Sequence, residues 1–202
     1  MTLYGASGHA KVIIDSLKSR NISITLIYDD DIHKTKLLEY AIEHDLSKVI
    51  NADEEIIISV GDNFTRKNIA ENIKCNFGIA VHKTSIIDKS VIIDEGTVVF
   101  HNSVIQSSTT LGKHVIVNTS ASIDHDCNIG DFAHISPNAT LCGNVSIGEG
   151  THIGAAAVII PNTKIGKWCK IGAGAVIIKD VPDYSVVVGN PGKIIKSYNP
   201  FI

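Results

Sequence analysis

The chain has 202 residues, 44% of them apolar and 19% charged, with a formal net charge of -3. That balance describes a folded globule of one or two domains, excludes a disordered chain, and offers no electrostatic reason to bind nucleic acid or an anionic membrane surface. The start of the chain has no basic n-region or signal-peptide core, and no apolar run reaches spanning length, so a cytoplasmic protein without membrane insertion is expected.

Residues 1–80 alternate strand-like and helix-like segments, the pattern of a small parallel α/β unit with a Rossmann-like arrangement. Thr2 to Tyr4 reads as a strand, Gly5-Ala6-Ser7-Gly8 as a tight turn, and His9 to Arg20 as a helix with Val12, Ile13, Ser16 and Leu17 on one face. Ile22 to Tyr28 reads as a second strand closed by Asp29-Asp30-Asp31, Lys36 to Asp45 as helical, Ile56 to Val60 as a third strand closed by Gly61-Asp62-Asn63, and Phe64 to Lys74 as a last helix. Glycines between a strand and a helix leave N–H groups facing outward at a helix N-terminus, which suits a phosphate. Acidic residues closing the next strand lie where this topology meets a sugar or base. The turn lacks the three-glycine dinucleotide spacing, and an unliganded turn would use the same glycines, so both readings stay open here.

From Val81 to Ile177 an aliphatic residue returns at every sixth position, as in Ile123, Ile129, Ile135, Leu141 and Ile147. A second register four residues behind holds small or β-branched residues such as Ala121, Cys127, Ala133 and Ala139. Six is neither a helical period nor a simple alternation, so each hexad is expected to be a short strand plus a corner with both registers turned inward, a hexapeptide β-helix over residues 81–202 with its tail. Three strands make a coil, so residues eighteen apart should be vertical neighbours at about 4.8 Å. Gly112, Asn118, Gly130, Gly148, Gly154, Gly166 and Gly172 are expected at corners whose backbone conformation a β-carbon hinders. Cys75, Cys127, Cys142 and Cys169 show no paired spacing and read as reduced thiols. Trp168 reads as a surface or interface ring.

A regular solenoid needs no histidines, and six fall on this one: His82, His101, His114, His125, His134 and His152. His125 is followed by Asp126, which places a carboxylate where it can hold the ring and raise its basicity; the flanking Asp124 also fits a solvated acidic corner. By the eighteen-residue rule Gly143 lies above His125 and offers an N–H donor, while His152 lies above His134, a pair that supplies only half a metal site.

The opening Tyr4-Gly5-Ala6-Ser7-Gly8-His9-Ala10-Lys11, the Asp29-Asp30 pair, Asn118-Thr119, His125-Asp126 and the closing Gly189-Asn190-Pro191-Gly192-Lys193 together resemble the bacterial nucleotide-sugar N-acetyltransferases of the PglD/NeuD type, left-handed β-helix hexapeptide acyltransferases. The resemblance spans essentially the whole chain. It implies a left-handed solenoid, a homotrimer, and acetyl-CoA as co-substrate in the groove between neighbouring solenoids, with no metal. It implies acetylation of the 4-amino group of a UDP-, dTDP- or GDP-linked 4-amino-4,6-dideoxy sugar in glycan precursor synthesis. Carried over residue by residue, it implies His125 as base with Asp126 as its orienting partner. Ser7, Gly8, His9, Asp29, Asp30, Gly61 and Asn118 would meet the nucleotide sugar, and His134, Ala155 and Ala173 would line the acetyl-CoA groove. Asp126, where relatives carry Glu, shortens the reach to His125. A sialic-acid-type O-acetyltransferase and a γ-carbonic-anhydrase-like metalloenzyme are the alternatives on the same solenoid; the latter needs three histidines converging between subunits.

Overall fold

The computed structural model describes residues 1–50, 54–198 and 201. Its N-terminal part is an α/β unit built on β1 (Thr2–Tyr4), α1 (Gly8–Ser19), β2 (Leu26–Tyr28), β3 (Lys36–Leu37), β4 (Tyr40–Glu43), α2 (Leu46–Ile50), β5 (Ile56–Ile58) and α3 (Asn63–Asn72). The strand order is β3-β4-β2-β1-β5, parallel except for the β3–β4 hairpin. The loops after β1, β2 and β5 therefore open on one edge of the sheet, where this topology presents ligand groups.

Residues 36–45, expected to be helical, are that hairpin. Leu38 adopts φ +53 at the turn, and β4 adds in parallel to β2. Lys, Leu, Glu and Ala favour a helix locally, but the open edge of β2 offers a ladder that outweighs propensity. The second strand is also shorter than expected, beginning at Leu26 rather than Ile22.

The solenoid consists of two-residue strands at six-residue intervals, from β6 (Ala80–Val81), β7 (Ile86–Ile87) and β8 (Ile92–Ile93) to β22 (Val176–Ile177). Every pairing joins residues eighteen apart, as in Ile105↔Ile123 and His134↔His152. The strands form three flat faces: the first runs from β7 to β22, the second from β8 upward, and the third from β6 upward, closed by β23 (Ser185–Val188) and β24 (Lys193–Ser197). The aliphatic register and the small register together fill the interior. Inward threonines are satisfied vertically: Thr109 Oγ1 donates to the Asp124 carbonyl at 2.8 Å and accepts from the Cys127 N–H at 3.1 Å, which removes the cost of burying a hydroxyl.

The corner glycines have a different reason from the one expected. Left-handed backbone recurs at every sixth residue from Gly96 to Gly174, but two positions after that glycine register, on residues such as Asn102, Asp126, Phe132, Asn144 and Trp168. The glycines are required by close approach instead: a Cβ on Gly148 would lie 2.5 Å from the Gly166 carbonyl carbon, and one on Gly130 2.7 Å from the Glu149 nitrogen. The coils stack there backbone to backbone.

The α/β unit docks on the outside of the third face. Ala10, Ile13 and Leu17 of α1 share a core with Ala80, Val98, Phe100 and Ile116 of the solenoid. Burying a side chain of this size contributes about 1.5–3 kcal/mol, so the two parts are one packed body. All four cysteines are free, and Cys127 and Cys169 are buried with their thiols pushed up by desolvation. No helix among the described residues is long and apolar enough to cross a membrane.

Candidate active site

His125 and Asp126 sit on the corner between the first and second faces, just after the strand Ser122–Ile123. His125 Nδ1 lies 2.7 Å from Asp126 Oδ2. Asp126 reaches the ring from a left-handed backbone, φ +60, so its shorter side chain suffices. With Nδ1–H donating to the carboxylate, Nε2 keeps its lone pair. The hydrogen bond to Asp126, with the charge of Asp124 added, holds the imidazole above its usual pKa. The ring lies over Gly143: a Cβ there would stand 2.7 Å from His125 Cε1 and 2.8 Å from Nε2. The Gly143 N–H has no hydrogen-bond partner among the described residues. A base with a free lone pair and an unused donor one coil away can take a proton and stabilise a developing oxyanion.

The remaining expected residues gather elsewhere. Asn118, Ala155 and Ala173 lie on the corner between the third and first faces, the two alanines exposed. His134 stands on the third face, its Nε2 3.1 Å from Asn118 Nδ2; that contact leaves the proton on Nδ1, which is turned toward the Gly61 backbone and has no close hydrogen-bond partner among the described residues. Desolvation, with the charge of His152 adding to it, lowers the His134 pKa to about 2, so the ring is neutral. His134 and His152 stack at 4.7 Å, but His152 Nε2 is held 2.8 Å from Ser136 Oγ, so the two do not converge on a metal.

Of the α/β residues, Ser7 and Gly8 are exposed at the N-terminus of α1, where Ser7 makes no side-chain cap. Gly5 adopts φ +110, a conformation that suits glycine. His9 follows at half burial, its Nε2 unpartnered and its pKa lowered to about 4 by desolvation and the nearby Arg66. Gly61 faces the His9 ring. Asp29 is buried and already engaged: its carboxylate accepts from the Ala6 N–H at 2.6 Å, the Asp31 N–H at 2.9 Å and Lys34 Nζ at 2.8 Å. Asp30 accepts from the hydroxyls of Tyr4 and Tyr28 at 2.9 and 2.7 Å. Both therefore hold the rim of the turn in shape.

A cavity of roughly 400 Å³ opens between the first turn of α3 and the third face. Gly61 and His134 line it with Phe64, Trp168, Lys170 and Tyr198. Trp168, expected at the surface or an interface, is buried where α3 meets the solenoid: it lies edge-on to Phe64 at 6.1 Å, against Gly150, where no Cβ fits.

Arg66 is the position that sequence reasoning missed. It is 1% exposed, and among the described residues no carboxylate hydrogen-bonds to it. Nε donates to the His114 carbonyl at 3.0 Å, Nη2 to the Phe132 carbonyl at 2.8 Å, and Nη1 to the Val60 carbonyl at 3.0 Å, while Asn63 Nδ2 donates to the Gly150 carbonyl at 3.1 Å. Three successive coils thus present one carbonyl each to α3, and the same guanidinium holds the β5–α3 loop that carries Gly61. Nothing in the polar helix sequence signals this, because the acceptors are backbone atoms some fifty to ninety residues away.

Comparison with known proteins accords with this geometry. Residues 1–73 match the PglD N-terminal domain family, and residues 126–160 and 144–179 match the bacterial transferase hexapeptide (six repeats) family. PerB from Caulobacter crescentus, solved with CoA and GDP-perosamine, is 31% identical with a TM-score of 0.90, covering 96% of this chain and 96% of that one. The acetyltransferase domain of PglB from Neisseria gonorrhoeae, solved with acetyl coenzyme A, is 35% identical with a TM-score of 0.88 over 96% of this chain and 98% of that one. A UDP-N-acetylbacillosamine N-acetyltransferase of Bacillus subtilis is 37% identical over 111 residues, 48% of this chain and 50% of that relative's length. With an α/β unit of PglD type, an unbroken hexapeptide solenoid and relatives matched end to end, the chain belongs to the PglD/NeuD-type left-handed β-helix acyltransferases, a family of acetyl-CoA-dependent N-acetyltransferases of nucleotide-linked amino sugars.

Proposed function

We propose that this chain transfers the acetyl group of acetyl-CoA to the 4-amino group of a nucleotide-linked 4-amino-4,6-dideoxy sugar, in the cytoplasm, as a step in making a glycan precursor. His125 acts as the base, and its 2.7 Å contact with Asp126 is the observation that carries the reading. The sugar ammonium must lose a proton before it can attack, and a carboxylate-held imidazole with a free Nε2 takes it. The amine nitrogen then bonds to the thioester carbon, the charge that develops on oxygen is met by the Gly143 N–H, and the C–S bond breaks as the nitrogen gives up its extra proton to the departing thiolate, releasing CoA as the thiol. Ser7, Gly8, His9 and Gly61 line the nucleotide-sugar end, with Asp29 and Asp30 shaping its rim. Asn118 stands near the sugar, and His134, Ala155 and Ala173 line the acetyl-CoA groove.

His125, Asp126 and Gly143 stand on a different edge of the prism from Asn118, Ala155 and Ala173, separated by the width of the first face. A single chain therefore holds two half-sites, and a homotrimer, in which the His125 edge of one chain meets the Asn118 edge of the next, completes them. The test is release of CoA by the purified chain with UDP-, dTDP- and GDP-linked 4-amino-sugars, GDP-perosamine among them, against the free amino sugars and hydroxyl analogues. Turnover confined to nucleotide-linked amines supports the assignment; turnover of a hydroxyl acceptor alone refutes it.

A further inference from the structure

We propose that Asp15, His82 and His101 form a binding site for a divalent transition-metal ion, best matched to zinc, where α1 meets the first coils of the solenoid. The three residues come from separate places. Asp15 is on the exposed side of α1, His82 directly follows β6, and His101 lies on the same corner one coil further along. The His101 Nε2 is 2.6 Å and the His82 Nε2 3.8 Å from the same oxygen, Oδ2 of Asp15. Their rings stack at 3.6 Å and 20°, and one donor atom from each residue lies within 4.8 Å of the others. Zinc held by bonds of about 2.0–2.2 Å separates its ligands by about 3.3–3.6 Å in a tetrahedron. Closing the cluster to that size needs a shift of roughly 1 Å, within reach of the exposed Asp15 side chain and a turn of the His101 ring.

The surroundings set the ligand form. His82 Nδ1 lies 2.9 Å from Thr84 Oγ1, which also accepts from the Asn102 N–H at 3.1 Å. Nδ1 also accepts from the Thr84 N–H at 3.2 Å, so the metal-free ring carries its proton on Nε2; an ion bound at Nε2 moves that proton to Nδ1, where the Thr84 hydroxyl oxygen accepts its hydrogen bond. Arg20 and Lys83 add positive charge nearby and weaken the site, while the Asp15 carboxylate offsets one charge. Two imidazoles and one carboxylate suit zinc, cobalt or nickel rather than calcium or magnesium, which take all-oxygen shells. A fourth position remains for water.

The cluster stands on the Asn118 edge, a coil below Asn118. It ties α1, whose N-terminus carries Ser7 to His9, to the solenoid. The inference is independent of the acetyltransferase reading. The test is equilibrium dialysis of the untagged, chelator-stripped chain against Zn(II) and Co(II) at pH 7.5, with thermal unfolding alongside. One ion per chain is expected, with an intense visible cobalt spectrum of tetrahedral type and a rise in the unfolding midpoint of about 5–10 °C at a hundredfold excess over Kd. Asp15→Asn and His101→Ala should each weaken binding at least about tenfold and abolish the thermal shift; His33→Ala should change neither. Asp15 is exposed, so its variant reports on binding even if His101→Ala folds poorly. Absence of binding at micromolar zinc, or one ion per chain persisting in the Asp15→Asn variant with unchanged affinity, would overturn the proposal.

Discussion

At the scale of single residues the proposed chemistry rests on a histidine whose basicity is set by its neighbours. Asp126 and Asp124 raise the His125 pKa, so the base is neutral only above its ordinary value, and the acidic limb of kcat should lie above about pH 6.5. Asp126→Asn removes the charge that stabilises the imidazolium, and the limb should move to lower pH. His125→Ala should lower kcat by about 10² to 10⁴ with little change in binding of either substrate. Steady-state kinetics across pH check all three, and wild-type kcat in His125→Ala at neutral pH would place the base elsewhere. Gly143 allows a sharper test. An added methyl would press on His125, an exposed side chain that can swing aside, and not on backbone. Gly143→Ala should therefore leave the unfolding midpoint within about 2 °C, a surface-like effect, while kcat falls at least tenfold; equal losses of both would mean that the glycine serves the coil, not the base.

At the scale of elements the corner glycines behave in the opposite way. A Cβ on Gly148 meets the Gly166 backbone of the next coil at 2.5 Å, and the backbone cannot yield without breaking the 18-residue ladder. Gly148→Ala should cost about 1–3 kcal/mol as an overpacking change, read from the urea midpoint. The solenoid was legible because the hexad pattern is long and unbroken: the aliphatic register alone fixes the interior, the vertical neighbours and the placing of Gly143 over His125. The Lys36–Asp45 segment was not legible, since its residues favour a helix and only the vacant edge of β2 makes it a hairpin. The role of the glycines was misread for a related reason: a sequence marks where a side chain is missing but not whether backbone angle or a neighbouring coil excludes it. Asp29 and Asp30 show the same limit within the site. Their position after β2 is readable, but the Ala6 amide, Lys34 and the two tyrosines that occupy their carboxylates are tertiary facts. Arg66 left no trace because backbone carbonyls, its partners, have no sequence signature.

At the scale of the whole molecule the seam between the α/β unit and the solenoid is rich in neutral histidines. His9 and His114 are lowered to about 4 and His134 to about 2, by burial first and then by neighbouring charge. An unfolded histidine titrates near 6.5, so below that value the unfolded chain binds protons that the folded chain refuses. The stabilisation is complete above about pH 6.5 and declines as pH falls, by up to about 1.4 kcal/mol per pH unit for each ring. Denaturant midpoints at constant ionic strength should therefore fall steeply from pH 6.5 to 4.5; a flat profile would mean that these rings are solvated. The larger claim is that one active site is shared by two chains, with His125 on one edge and Ala173 on another. Co-expression of His125→Ala chains with Ala173→Trp chains, each inactive alone, tests it directly. If sites form between neighbours, random mixed trimers carry one intact site in every four, and activity should return to about a quarter of wild type. If the mixed protein stays as inactive as its parents, each chain holds its whole site and the shared arrangement is wrong.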